Sequence, residues 1–392
     1  MAFVLFDNKN RQNLAPLSLN KAVADLRLGI LTVKERWSYL LKTEVFIHTS
    51  TLLQPLYNQP LIAETCTWMD AAIMPSDELL EKISELKPGQ ALVDDFGVVV
   101  GKSNHQFDQF NPNFANDFFD QLIEINNVIR FHYPWDLIKL NAAAINWDFK
   151  LITKGKKSQP ISPTVQVIQT ADIFIEEGAK VEFCLLNSTT GPIYIGKDAE
   201  IMEGSTVRGS FVLGENSVLK MNSRIYGATT LGPYCMGGGE IKNAIMMGYS
   251  NKAHDGYLGD AVVGEWCNFG AGTSNSNLKN SADEIFMWVM ATNEQVPVGQ
   301  KCGVMMGDYS RVAINSSINT GSVIGICCSV FGKGLLPQKL PNFSFGVEGK
   351  KYNLPDAIAD INNWKSMKGK QLTEQEVNII NYLYQIKENN NE

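Results

Sequence analysis

Aliphatic residues recur at intervals of six through the middle of the chain, at Ile195, Ile201, Val207, Leu213, Leu219, Ile225 and Leu231. Two positions ahead of them stand Ile193, Ala199, Ser205, Phe211, Ser217, Ser223 and Thr229, most of them small, and glycine follows the aliphatic residue at Gly196, Gly214 and Gly232. A helix repeats about every 3.6 residues and a strand about every two, so neither holds this phase. A six-residue beat is the signature of a parallel β-helix. Each hexad supplies one flat face of a triangular coil, with the aliphatic side chain turned inward and the small residue fitted at the corner. The coils stack about 4.8 Å apart by strand pairing.

The beat returns after phase slips as Tyr257, Val263 and Phe269, and again as Met306, Val312, Ile318, Ile324 and Val330. The pattern predicts a left-handed β-helix over 165–346. Out-of-phase segments should leave the coil as loops, where function concentrates. The clearest are the glycine run Gly237-Gly238-Gly239 and the stretch from Lys279 to Lys301. Residues 1–135 lack the hexad and read as mixed α/β: strands over Ala2 to Phe6 and Val45 to His48, a helix over Ser76 to Leu86, and a hairpin over Ala91 to Val100. Residues 136–164 read as a helical connector. Residues 347–392 hold two further helices, the second opened by a Thr373/Glu376 capping box, and are expected to cover the exposed edge of the last coil.

The chain has 392 residues, 44% apolar and 19% charged, which is the composition of a globular protein of two or three domains. A net charge of −7 without a lysine or arginine cluster excludes a general nucleic-acid binder but leaves phosphorylated small molecules open. No apolar run reaches the ~18 residues of a membrane span, and the start lacks the plan of a signal peptide. Seven cysteines without a CxxC pair fit a reducing, cytoplasmic compartment.

His254 is the one histidine within the repeat region, in Tyr249-Ser250-Asn251-Lys252-Ala253-His254-Asp255-Gly256-Tyr257-Leu258-Gly259-Asp260. An imidazole among amides and hydroxyls suits proton abstraction from an amine or hydroxyl. The other three histidines, His48, His105 and His132, lie outside the repeats, which disfavours a zinc site of three histidines.

The run from Lys252 through Tyr257-Leu258-Gly259-Asp260 to Asn268-Phe269-Gly270-Ala271-Gly272-Thr273 resembles the acetyltransferase half of GlmU, the bifunctional glucosamine-1-phosphate N-acetyltransferase and UDP-N-acetylglucosamine pyrophosphorylase. A shorter GlmU-like group of sugar nucleotidyltransferases is similar over most of the chain, including Asn8 to Trp37, Gly191 to Gly204 and Lys220 to Gly227. The resemblance implies that His254 is a general base. It implies that Arg224 and Lys242 hold a sugar phosphate, that Tyr257, Asn268 and Asn277 line the sugar site, and that Ala271, Asp308 and Ile326 lie near acetyl-CoA. Asp308 stands where the family has a serine, and a carboxylate there would repel CoA phosphates if it faced them. The family's lysine after the second asparagine has no match.

For the amino-terminal domain, nucleotidyltransferases follow the first strand with a glycine-rich loop that cradles a triphosphate. Here no glycine precedes Gly29. Arg11, Lys21 and Arg27 are the cations left to grip phosphate, with magnesium needed if the domain is active, so weak or absent nucleotide turnover is expected. The resemblance thus implies a homotrimer acting on a sugar phosphate and acetyl-CoA, with an NTP as a further substrate. The alternatives are a sugar-1-phosphate nucleotidyltransferase whose β-helix serves as trimerisation and support domain, and a non-catalytic structural β-helix.

Overall fold

The computed structural model describes residues 2–60 and 65–386. Its amino-terminal part is a six-stranded mixed sheet in the order Val45–His48, Ala2–Phe6, Cys66–Asp70, Gly97–Ser103, Gln90–Asp94, Gln121–Glu124. The first three strands are parallel, and Gly97–Ser103 runs against both of its neighbours. Ala2–Phe6 is apolar at every position because both faces of the sheet are covered. Val4 and Phe6 face a cluster with Trp68, Phe110 and Phe119, and Leu5 faces Trp37, Val45 and Met69. The helix Val33–Leu41 starts at a Thr32/Glu35 capping box and turns Arg36 inward. There Arg36 Nε meets Asp148 Oδ1 at 2.7 Å, both side chains fully buried, which fastens this helix to the connector helix Asp136–Thr153.

The hexads fold as expected into a parallel β-helix. A first face runs from Ile173–Ile175 to Lys339–Leu340, and a second from Lys180–Val181 to Ser344–Phe345. A third face runs from Gln166–Ile168 to Tyr257–Gly259 and continues through Ser274–Asn275 and Ser317–Ile318. All seven residues of the founding hexad run, from Ile195 to Leu231, are at most 2% exposed, and all line one core. The corner serines are buried, and their hydroxyls satisfy turn carbonyls: Ser205 and Ser223 both donate to the Lys220 carbonyl.

Two expectations about the coil need correction, and a third holds. Tyr257 does not point inward; its strand neighbour Leu258 does, because the coil before it is shorter and shifts the phase. The run Gly237-Gly238-Gly239 does not leave the coil but forms a tight corner between the strands Met236–Gly237 and Glu240–Lys242. Lys279 to Lys301 does leave it, as an antiparallel hairpin of Ile285–Val289 with Glu294–Gly299.

The outward positions of the first face are apolar as well. Val212, Ile245, Val262, Met305 and Val323 are each at most 1% exposed although they point away from the coil. The connector helix covers Val212, while the amino-terminal domain and the inserted hairpin cover the other four in a single core with Trp135, Leu137, Ile285 and Met287. The carboxy-terminal helices Leu354–Ser366 and Glu374–Gln385 do not cap the last coil as expected. They lie along the corner between the first and second faces, where Tyr234, Tyr249 and Trp266 stack at centroid separations of 4.9 and 4.3 Å. With Leu53 of the amino-terminal domain they bury Trp266, Tyr309, Ile326 and Phe343. The aromatic ladder offers these helices an apolar surface to bury.

Candidate functional site

Two corners of the triangular coil differ sharply. The corner between the first and second faces is buried by the chain's own helices. The corner between the second and third faces carries His254, in the bend between Asn251–Lys252 and Tyr257–Gly259. His254 is exposed, and its imidazole makes no hydrogen bond among the described residues. An uncommitted imidazole on a rigid solenoid corner is free to exchange a proton with a ligand.

On the third face beside it, register stacks Arg224, Glu240 and Tyr257 in one column and Tyr226 and Lys242 in the next. Arg224 is exposed, with Nε 3.7 Å from Glu240 Oε2, and Glu240 also accepts from the Tyr226 hydroxyl at 2.6 Å. Lys242 Nζ lies 5.9 Å above the Tyr226 ring. The Tyr257 hydroxyl accepts from Asn277 Nδ2 at 3.0 Å, and the same amide donates to Asp260. Burial, followed by the Asp260 charge, pushes the Tyr257 hydroxyl well above the usual phenol range, so it remains protonated. Asn268 sits on the second face, in register between Asn251 and Arg311. Of the residues expected to line a sugar site, Tyr257 thus lies on the third face and Asn268 on the second, the two faces that meet at the His254 corner. Ala271 lies exposed at the same corner, in the coil after it.

Asp308 and Ile326 do not join them. They lie on the covered side, 1% and 0% exposed. Asp308 Oδ2 is 2.8 Å from Lys21 Nζ and accepts from Asn20 Nδ2 at 2.9 Å, while its Oδ1 accepts from the Glu265 amide at 2.8 Å. The carboxylate therefore locks the amino-terminal domain onto the solenoid. Of the three positions expected near acetyl-CoA, only Ala271 fits an outside ligand.

The amino-terminal cations also depart from expectation. Lys21 is held between Asp308 and Glu265, both at 2.8 Å. Arg27 is buried, donating from Nε to the Met247 carbonyl at 3.1 Å and to the Ile30 carbonyl. Both serve the interdomain contact, and Lys21 with Asp308 also lines a cleft of about 580 Å³ that Tyr57, Glu265, Lys365 and Glu376 border. Arg11 borders a cleft of about 810 Å³, at the carboxyl ends of Ala2–Phe6 and Val45–His48, lined by Asp7, Asn8, His48, Thr49 and Phe107 among others. Open α/β sheets bind ligands in this position. Its guanidinium is already paired with Asp7 at 3.0 Å and with loop carbonyls of Ser18 and Lys21.

Magnesium does not fit the described residues of this domain. Asp70 and Asp94, at the ends of their strands, are bridged by Arg130. Asn8 Nδ2 and the Ala72 amide supply further donors to Asp70 at 2.8 to 3.0 Å. The guanidinium stands where a cation would have to be, and among the described residues no group of three or more His, Cys, Asp or Glu is placed to hold a metal.

Sequence reasoning missed three parts of the site. Asp260 ties Asn243 and Asn277 together, the Ser274 hydroxyl accepts from the Tyr257 amide at 3.0 Å, and Lys252 is buried inside the coil below His254. Lys252 was legible as a charged residue in a stretch of inward positions, once the slip after Gly237 is placed correctly.

The structure thus joins an α/β sheet domain to a β-helix with a histidine at one open corner. A family model described as sugar nucleotidyl transferase matches residues 3–157. The chain is 29% identical over 215 residues to the bifunctional protein GlmU of Methanocaldococcus jannaschii, covering 54% of this chain and 45% of that one. It is 30% identical over 148 residues to a bifunctional sugar-1-phosphate nucleotidylyltransferase/acetyltransferase of Sulfurisphaera tokodaii, covering 36% and 35%. A solved polysialic acid O-acetyltransferase, OatWY, aligns with 48% of this chain and 88% of its own at 19% identity and a TM-score of 0.23. Over these spans the chain is similar to GlmU and to bifunctional nucleotidylyltransferase/acetyltransferase proteins. It spans less than half the length of the curated relatives it matches.

Proposed function

We propose that this protein is a sugar-phosphate N-acetyltransferase that moves an acetyl group from acetyl-CoA to glucosamine-1-phosphate or a related amino-sugar phosphate. The observation that carries this reading is the exposed, unpartnered His254 at the one solenoid corner flanked by Tyr257, Asn268, Asn277, Arg224 and Lys242. His254 takes the proton of the sugar amine as its nitrogen attacks the thioester carbonyl. The C–S bond then breaks, the amide forms, and CoA leaves as the thiol. Arg224 and Lys242 screen the phosphate, and backbone amides near Ala271 stabilise the oxyanion.

Homotrimerisation through this corner belongs to the proposal. Phe183, Met221, Ile314 and Phe331, at 62%, 62%, 67% and 43% exposure, lie at the turns that follow second-face strands, above and below His254. A line of exposed apolar side chains along one edge is the surface a neighbouring coil would cover. The seven cysteines are buried and form no disulfide among the described residues, which supports a cytoplasmic location. No helix among the described residues is long and apolar enough to cross a membrane.

A second reading, sugar-1-phosphate nucleotidyl transfer in the amino-terminal domain, is favoured by the family match over residues 3–157. Against it stand the missing glycine loop and the Asp70–Arg130–Asp94 bridge. One assay panel separates the two: purified protein with sugar-1-phosphates with and without an amine, acetyl-CoA, and each NTP with magnesium. CoA release that requires the amino sugar supports acetyl transfer. Steady pyrophosphate release without CoA release would overturn it in favour of the second reading.

A further inference from the structure

The lumen of the β-helix is aliphatic along the second face except at one place. The inward positions there are Val181, Ile201, Leu219, Gly237, Lys252, Phe269, Val312 and Val330, and strand pairing sets Leu219 against Gly237 and Gly237 against Lys252. Lys252 is 1% exposed. In the coil before it the inward position is Gly237, where the space is filled by neighbouring aliphatic side chains: a Cβ there would meet Leu231 Cδ1 at 2.5 Å and Leu219 Cδ1 at 3.3 Å. The lysine side chain crosses the lumen to the corner below His254. Its ammonium donates to the carbonyls of His254, of Asp255 at 3.2 Å and of Gly238 in the preceding coil at 3.4 Å.

Other corners meet their inward carbonyls with serine hydroxyls, as Ser316 does for Ala313 and Ser322 for Asn319. A hydroxyl costs little to bury. An ammonium in an apolar lumen is a much costlier donor, and burial pulls the Lys252 amine down to about 8 despite the Asp255 charge. Such a departure from the cheap solution is the mark of a residue kept for its site. The glycines beneath complete the arrangement. At Gly239, with φ of +70°, a Cβ would lie 2.8 Å from the carbonyl oxygens of both His254 and Gly256, so the bend rests directly on glycine backbone.

We infer that Lys252 is a positioning residue for His254, fixing the 253–256 bend by joining its carbonyls to the coil below. The imidazole is then aimed by the interior of the solenoid, with no side-chain partner of its own. This inference rests on the reading of His254 as the general base.

The test is Lys252→Met, which keeps length and apolar packing but removes the donor. Lys252→Gln, a shorter donor, serves as the second variant. Wild type, both variants and His254→Ala are compared for kcat and KM in acetyl transfer to glucosamine-1-phosphate. Melting temperature and amide hydrogen exchange over 253–256 are measured on the same samples. Lys252→Met should lower kcat by about 10- to 100-fold with KM changed less than about threefold, as expected when a reacting group is displaced by about 1 Å. Exchange over 253–256 should rise while the remaining coils stay protected, and Lys252→Gln should fall between. Wild-type kcat together with unchanged exchange in a folded Lys252→Met protein would overturn the inference. So would failure of both variants to fold, since Lys252 would then be a determinant of the coil. If His254→Ala proves fully active, the general-base reading fails by itself, and the exchange data still decide whether Lys252 holds the bend.

Discussion

Lys21→Met removes the cation from the contact that locks the amino-terminal domain to the solenoid. Lys21 Nζ sits 2.8 Å from both Asp308 and Glu265, with side-chain exposures of 8%, 2% and 35%. Burial would lower the lysine pKa, but the two carboxylates outweigh it and raise it above its ordinary value. A lysine whose folded pKa is raised stabilises fully below its unfolded value and loses that contribution only as pH rises past about 10.5. The contact is therefore constant across neutral pH. Removing one partner of a buried ion pair costs about 3–5 kcal/mol, because the other charge stays buried and uncompensated. Asp308 keeps its bonds from Asn20 and the Glu265 amide, which places Lys21→Met at the lower end, about 3 kcal/mol. In Asp308→Asn the lysine retains the partly solvated Glu265, so about 2 kcal/mol is expected. The double variant leaves no charge buried without its partner and should cost less than the sum, with a coupling of about 2 kcal/mol. Urea unfolding of the wild type, the two single variants and the double variant measures it. Additivity within about 0.5 kcal/mol would refute the reasoning that these charges are coupled across the interface.

Val207→Asp puts an unpaired charge in the coil lumen and should destabilise by about 3 kcal/mol or more, whereas Lys197→Ala on the surface should change stability by less than about 0.5 kcal/mol; thermal unfolding compares them. Burial against Trp68, Phe107 and Phe110 pulls the His48 imidazole down to about 4. The unfolded chain takes up a proton near pH 6.5 and the folded one does not, so stability is lost as pH falls from about 6.5 to about 4. His48→Gln should flatten that acid limb by about 3 kcal/mol in urea titrations at successive pH values. Arg224→Ala should raise KM for the sugar phosphate about tenfold with little change in melting temperature, since its guanidinium is exposed and has only a long ion pair with Glu240.

The six-residue period made the β-helix legible because each inward position answers to a single local requirement, apolar volume in the lumen, and Ile195 to Leu231 meet it without exception. The strands Ala2–Phe6 and Val45–His48 and the helices Asp77–Glu85, Asp136–Thr153, Leu354–Ser366 and Glu374–Gln385 were legible through caps and apolar runs, whereas the helix Val33–Leu41 and the strand Cys66–Asp70 were not read. Docking was harder to read. The signal was present in Val212, Ile245, Val262, Met305 and Val323, which make one hexad in three apolar on both sides, yet which partner covers that face is a property of distant segments. Asp308, Lys21 and Arg27 show the same limit. In the sequence a charged residue at a family position reads as a ligand contact, but here each charge is consumed by an interdomain partner about 220 or more residues away. Tyr257 and Asn277 meet in a hydrogen bond, and Asn268 stands in register with Asn251 on the face that leads to His254, because short-range coil stacking sets their positions. Local repetition carried that information, and long-range packing carried the rest.

The most direct measurement is acetyl transfer from acetyl-CoA to glucosamine-1-phosphate by wild type and His254→Ala, followed as CoA thiol release, with melting temperature taken on the same samples. General-base catalysis contributes about 10²- to 10⁴-fold, so turnover by His254→Ala should fall by that order while the melting temperature and KM hold. A folded His254→Ala protein that releases CoA at the wild-type rate would contradict the account.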